Sequence, residues 1–401
     1  MQKVSIRRMM ILVALYNLAA NFAHPTEPTF FLNLGMPDWM FGVAYACMAV
    51  GSFLMSPLWG KLSERFGANR IMEIGLYGYA FGQLLFTVST KAWMIICARL
   101  LAGFFTSNFV VGEILYIMEN AKKEEQGKYL AQSATISAVM SAFGYMVGGI
   151  LGDISVYVCF NVQWVSLALI GLYSRLLIKD QEKEQITLTR QDLVRQSNPF
   201  RAFLDARTVM TAAFALFLAI TALTMFASTA FDNCFNYFIK DQYGFPPSMN
   251  GWLKGAVALI TLLANSTICV WLMHRTDIFK SVIPVLAVCT AMTAAICGIT
   301  AIVPFIILNV IFFGFSAVYK PLLQAMIGMF GDAKHNGIYV GVYNSMCAVG
   351  SVVGSLTAGF VYGIAVIGPR LSFILSAAAY LLSVILAVLL YQKRRVSLKQ
   401  S

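Results

Sequence analysis

The sequence predicts an all-α membrane protein: twelve transmembrane helices in two pseudo-symmetric six-helix bundles. Three observations carry that reading. The 401 residues are 59% hydrophobic and 12% charged, with mean hydropathy +0.73, whereas soluble domains carry about 25% charged residues. The Lys and Arg residues segregate to one side of the predicted spans. A single offset of 210 residues lays several features of the first half onto the second.

A span needs about 20 apolar residues, so this length holds roughly twelve with short loops. The spans fall at about 8–32, 38–59, 71–89, 92–118, 128–152, 156–178, 209–239, 249–272, 281–300, 304–329, 337–363 and 369–391. The first follows Lys3, Arg7 and Arg8 and is too long for the core of a signal peptide, so it reads as an uncleaved span. Of the 29 Lys and Arg, Lys91, Lys240 and Arg370 lie outside, and Arg99, Lys254 and Lys320 lie within spans. The other 23 share the side that holds both termini, which the positive-inside rule makes cytoplasmic. The net charge of +11 is then loop charge and requires no nucleic-acid partner. External loops are too short for a glycosylated domain, so a bacterial cytoplasmic (inner) membrane is the expected home.

Residues 1–178 form the first expected bundle, 179–208 a polar cytoplasmic linker and 209–401 the second bundle. The linker reads equally as a surface helix or a plain connection. The 210-residue shift places Gly127 and Tyr129 on Gly337 and Tyr339, Gly144 on Gly354 and Gly149 on Gly359. It also places Leu62, Arg65 and Arg70 on Leu272, Arg275 and Lys280. Parallel halves of this kind are a recognised transporter repeat. The eight cysteines fall in or near apolar runs, with no C-x-x-C pair, and read as small buried hydrophobes. No phosphate loop, metal-ligand cluster or G-x-S-x-G elbow occurs, so no cofactor, no metal and no enzymatic role are expected.

The passage Gly60-Lys61-Leu62-Ser63-Glu64-Arg65-Phe66-Gly67-Ala68-Asn69-Arg70 is a short charged loop between two apolar runs. Its turn suits Gly60 and Gly67. Gly60, Leu62, Glu64, Arg65, Gly67 and Arg70 resemble the loop 2–3 motif of the major facilitator superfamily, Gly-x-Leu-small-acid-Arg-x-Gly with a later base. In span 5, Gly144-Tyr145-Met146-Val147-Gly148-Gly149 resembles the Gly-Pro-x-x-Gly-Gly motif of that family's drug antiporters, with Tyr145 at the proline position. In span 4, Arg99-Leu100-Leu101-Ala102-Gly103 resembles the Arg-x-x-x-Gly motif of the same bacterial drug:proton antiporter-like branch.

Polar residues inside spans mark the candidate site. Asn17, Asn21 and His24 share one helical face, and Pro25 and Pro28, flanking Glu27, are expected to break span 1 there. His24 can exchange a proton near neutral pH or serve as a packing residue. Arg99 must face a cavity or a partner. Glu113 lies on nearly the same face of span 4, about 21 Å further along; too far from Arg99 for contact, it reads as lining the same pathway or as contacting the basic loops near the cytoplasmic end. Asp232 and Lys254 read as an ion pair, gating or static. Lys320, beside Pro321, reads as a contact for an anionic substrate or a counter-ion for Glu113.

The resemblance implies the facilitator fold and alternating access, with spans 1, 4, 7 and 10 lining a central cavity. It implies a monomeric secondary transporter with a small-molecule substrate, a coupling ion (H+) and the lipid bilayer as partners. Asn17, Asn21, Asn108, Asn236, Lys320 and Gln324 are the expected substrate contacts, and Arg99, Glu113, Asp232 and His24 the coupling residues. Gly60, Glu64, Arg65, Gly67 and Arg70 are the expected conformational latch. Proton-coupled export of a small amphiphilic molecule is the first reading. Uptake or exchange of an organic or lipid-like anion is the second, and a non-transporting sensor or lipid-modifying enzyme the third.

Overall fold

The computed structural model describes residues 2–122, 125–180, 198–200, 207, 209–327, 329–330, 336–364 and 367–400. The expected linker, 179–208, lies mostly outside them. Secondary structure among the described residues is helical throughout. In chain order the first helices are α1 (Gln2–Ala20), α2 (Glu27–Asn33), α3 (Met40–Phe66), α4 (Ala68–Thr87), α5 (Ala92–Asn120), α6 (Gln126–Ile154) and α7 (Val156–Leu177). Then come α8 (Ala212–Tyr243), α9 (Pro247–Ala264), a π turn (Asn265–Cys269), α10 (Val270–Arg275), α11 (Ile278–Gly298), α12 (Ile302–Ile327), α13 (Asn336–Tyr362) and α14 (Gly368–Gln400).

Ten stretches among the described residues are helical, long and apolar enough to cross a membrane. Helices α1 and α4 occupy the places of expected spans 1 and 3 but carry Lys3, Arg7 and Arg8, and Asn69, Arg70, Glu73 and Gln83, respectively. Span 1 is broken where its prolines foretold, between Ala20 and Glu27. The broken end is repaired by side chains: the Ala20 carbonyl accepts from Tyr79 Oη (3.4 Å) and Gln163 Nε2 (2.9 Å). Such partners replace the intrahelical bonds that a helix end lacks.

The charged passage after span 2 is helix rather than loop. Helix α3 runs through Gly60 to Phe66, and the turn is made at Gly67 alone, with φ +93°. Solvated charges allow a helix to continue past an apolar run, and only a residue without Cβ accepts that φ at little cost.

The chain packs as two compact units. One comprises Met1–Met36, Cys47–Pro199 and Ile239–Gly255; the other comprises Pro37–Ala46, Phe200–Phe238 and Ala256–Ser401. In the first, α4 packs on α5 and α7, and α1 on α6 and α7. A Cβ on Gly144 or Gly148 of α6 would collide with the carbonyl oxygens of Leu18 or Phe22. Glycine thus lets two backbones touch, the usual basis of close helix crossings in lipid. Two polar rungs fasten the same pair: Asn17 Nδ2 and Asn21 Nδ2 donate to Ser137 Oγ and Ser141 Oγ, each at 3.0 Å.

The second unit repeats this scheme. Cβ atoms on Gly350 and Gly354 of α13 would meet the carbonyl oxygens of Ala222 and Phe226 on α8. The rungs are Thr229 Oγ1 to Ser351 Oγ (3.3 Å) and Asn233 Nδ2 to Ser355 Oγ (2.8 Å). Its core is aromatic, with Phe231 in ring contact with both Phe312 and Phe373.

Candidate functional site: a buried arginine–glutamate–histidine cluster

Arg99 lies two turns into α5 with 2% of its side chain exposed, and burial of a guanidinium demands a countercharge. Glu27 supplies it. The break in span 1 turns the chain so that Glu27, at the start of α2, points inward, also with 2% of its side chain exposed. Arg99 Nη2 stands 2.5 Å from Glu27 Oε1. The approach is ionic rather than directed along an N–H: neither Nη2 nor Nε of Arg99 has an aligned acceptor. The Phe86 ring covers the guanidinium, its centroid 3.8 Å from Cζ, as cation–π contact favours.

Gly103, four residues along α5, has a specific task. A Cβ there would strike the backbone of Met48 on α3, so the glycine brings α3 against α5. The same crossing sets Met48 Sδ at 4.0 Å from Arg99 Nη1. The Arg-x-x-x-Gly pattern therefore pairs a charge with the close helix crossing that seals it.

His24 completes the cluster. Its Nδ1 lies 3.0 Å from Glu27 Oε1, and its side chain is 16% exposed, far more open than either ion. Its ring stacks on Tyr145 of α6, with centroids 5.6 Å apart. Tyr145 is the residue that stands at the proline position of the span 5 motif, and here it walls the histidine. The cluster offers a carboxylate set against a buried cation, and an imidazole on its more exposed side.

A family model described as Major Facilitator Superfamily matches residues 9–233 and 218–401. The chain belongs to the Major Facilitator Superfamily. This facilitator is 21% identical over 380 residues to Multidrug resistance protein 1 of Bacillus subtilis (strain 168), covering 92% of this chain and 93% of that one. It is 24% identical over 360 residues to the Staphyloferrin B transporter of Staphylococcus aureus (strain NCTC 8325 / PS 47), covering 85% and 81%. The crystal structure of the nucleoside transporter NupG superposes with TM-score 0.72 at 14% identity, over 96% of this chain and 98% of that chain. Drug-resistance relatives agree with the drug-antiporter character of the motifs, and this facilitator is a multi-pass membrane transporter.

The other expected site residues divide between the two units. Asn17 and Asn21 use their amides on the α1–α6 rungs. Asn108 is fully buried against Gly75 of α4, with neither amide atom hydrogen-bonded. Asn236 is buried with its Oδ1 unpartnered. Glu113 is half-buried and accepts a hydrogen bond from Ser133 Oγ of α6. Asp232 is half-buried, and Lys320 and Gln324 are exposed on α12. Asp232 and Lys254 fall in different units.

In the expected latch, the Glu64 side chain lies outside the described residues. Arg65 and Arg70 are exposed. The segment is held by Asp180, a residue that no motif or spacing singles out. Its Oδ1 accepts from Asn69 N (2.7 Å) and its Oδ2 from Arg70 N (3.0 Å). A carboxylate over the first amides of α4 caps the helix and suits its dipole. Asn69 Nδ2 donates to the carbonyls of Ser174 (3.2 Å) and Ile178 (3.0 Å), and Ser174 Oγ donates back to Asn69 Oδ1 (2.7 Å). Sequence reading also missed Glu27 as the partner of Arg99. Depth would have found it: both lie a few residues from the same end of their predicted spans.

Proposed function

We propose that this facilitator couples proton movement to export of a small amphiphilic molecule, by alternating access, with Glu27 as the proton carrier. The observation that supports this is the buried Glu27–Arg99 pair with His24 on its open side. A proton entering through His24 and settling on Glu27 leaves Arg99 a buried cation without its counter-ion. Breaking a buried pair costs about 3–5 kcal/mol. Reversing a two-state equilibrium from 1:99 to 99:1 takes about 5.5 kcal/mol, so one proton supplies most of the drive for a change of state.

In this reading Glu113 and Asp232 are further coupling groups. Asn17, Asn21, Asn108, Asn236, Lys320 and Gln324 are the substrate contacts, and Gly60, Glu64, Arg65, Gly67 and Arg70 act as the latch. The carrier is a monomer in a bacterial cytoplasmic membrane, with both termini in the cytoplasm and its halves at 1–178 and 209–401. In everted vesicles, a lipophilic cationic dye is expected to accumulate only while the proton gradient stands. Accumulation that survives collapse of the gradient counts against coupling. Fusing a reporter at either terminus is expected to show cytoplasmic placement.

A second reading, transport of an organic anion, has its own support in Lys320, the one charged residue of α12 and exposed there, and in the relative described as a Staphyloferrin B transporter. Proton-dependent movement of a labelled anion in those vesicles, without dye accumulation, would favour it.

A further inference from the structure

Between α1 and α7 runs a groove of about 260 Å³, walled by Leu15, Leu18, Phe22, Leu169, Ile170 and Tyr173. Its lining is apolar apart from the Ser166 and Tyr173 hydroxyls on its α7 wall. Leu169 is 61% exposed at its rim, and Val165, Leu172 and Leu176 extend an exposed apolar face along α7. In a membrane protein such a face meets acyl chains.

One end of the groove is basic. Tyr173 lines it and donates from its Oη to the Arg8 carbonyl at 3.4 Å. Arg8 is exposed, and its Nη1 reaches across to the Leu177 carbonyl at 2.9 Å. Arg7 is exposed beside it, and Arg175 is exposed near the end of α7, its Nε 3.9 Å from Glu73 Oε1. Arg8 immediately precedes the apolar run of α1, where a lipid phosphate would sit. Leu15 follows about 10 Å further along the helix, within reach of a long snorkelling side chain and the lipid glycerol.

We infer that this groove is a binding site for an anionic phospholipid, its phosphate against Arg8 and one acyl chain between α1 and α7. Charge selects the headgroup, since each cation near an anionic lipid contributes about 1 kcal/mol, close to fivefold in affinity. The groove selects the chain. The site fastens α1, which carries His24 beyond its end, to α7, yet it does not depend on what is transported or on proton coupling.

The test uses the purified full-length chain in detergent, titrated with phosphatidylglycerol or phosphatidylethanolamine and read by native mass spectrometry. Wild-type protein is expected to retain one phosphatidylglycerol and to hold phosphatidylethanolamine at least about fivefold more weakly. Arg8→Gln is expected to lose that preference and Arg8→Lys to keep it. Ser166→Trp, which fills the groove from α7, is expected to lose the tightly held lipid. Equal retention of both lipids by the wild-type protein, or unchanged phosphatidylglycerol retention in Ser166→Trp, would overturn the assignment. The wild-type comparison needs no variant to fold.

Discussion

Glu27 and Arg99 are each almost completely withdrawn from solvent, and each is tolerable there only because of the other. Replacing either by glutamine is expected to lower stability by about 3–5 kcal/mol, because the partner is left as a buried charge. The double variant Glu27→Gln/Arg99→Gln is expected to be more stable than the sum of the two losses implies. Thermal unfolding of all four proteins in detergent measures this, and strict additivity would show that the pair does not interact. A second residue-scale prediction concerns Gly67. Its φ of +93° and the Asp180 carboxyl pressed against it leave no room for a side chain. Gly67→Ala is expected to cost about 1–3 kcal/mol, and Asp180→Ala about 1 kcal/mol through loss of the helix cap. These residues were only partly legible in the sequence. Arg99 announced itself as a charge inside an apolar run, and Gly67 as part of a motif. Glu27 was read merely as a neighbour of two prolines, because pairing across spans depends on depth, which no single stretch displays.

At the scale of elements, the crossing of α1 and α6 rests on glycines whose absent side chains would occupy a neighbour's backbone. Gly148→Leu is expected to abolish the folded protein, seen as loss of a monodisperse peak after extraction. Gly127 faces open space, with nothing within 4 Å of where a methyl group would stand, so Gly127→Ala is expected to be neutral or mildly stabilising. Ser141→Ala removes one rung and leaves the Asn21 amide short of a partner, a loss of about 1 kcal/mol. The helices were legible because apolar runs of span length have few other uses. The break at Pro25 and Pro28 was legible too, since proline cannot continue a helix. The extension of α3 to Phe66 was not, because a charged passage between two spans looks the same as loop or as solvated helix. The cap on α4 was hidden for another reason: Asp180 is more than a hundred residues away in sequence from the amides it receives.

For the whole molecule, membrane residence and family followed from composition and a short motif, and the family match over both halves agrees. Segments 37–46 and 239–255 pack with the unit of the other half, which no repeat in the sequence foretold. The identity of the cargo was also beyond the sequence: binding specificity resides in the juxtaposition of a few side chains, and low-identity relatives named for multidrug resistance and for staphyloferrin B transport both align over most of this chain. Proton coupling is the claim on which the functional reading stands. The direct measurement is proton flux in proteoliposomes, with a lipophilic cationic dye as cargo and an imposed pH gradient, comparing wild type with Glu27→Gln. Wild-type protein should concentrate the dye while dissipating the gradient, and Glu27→Gln should only equilibrate dye across the membrane, with no linked proton movement. Concentration of the dye by Glu27→Gln at the wild-type rate and proton cost would contradict it.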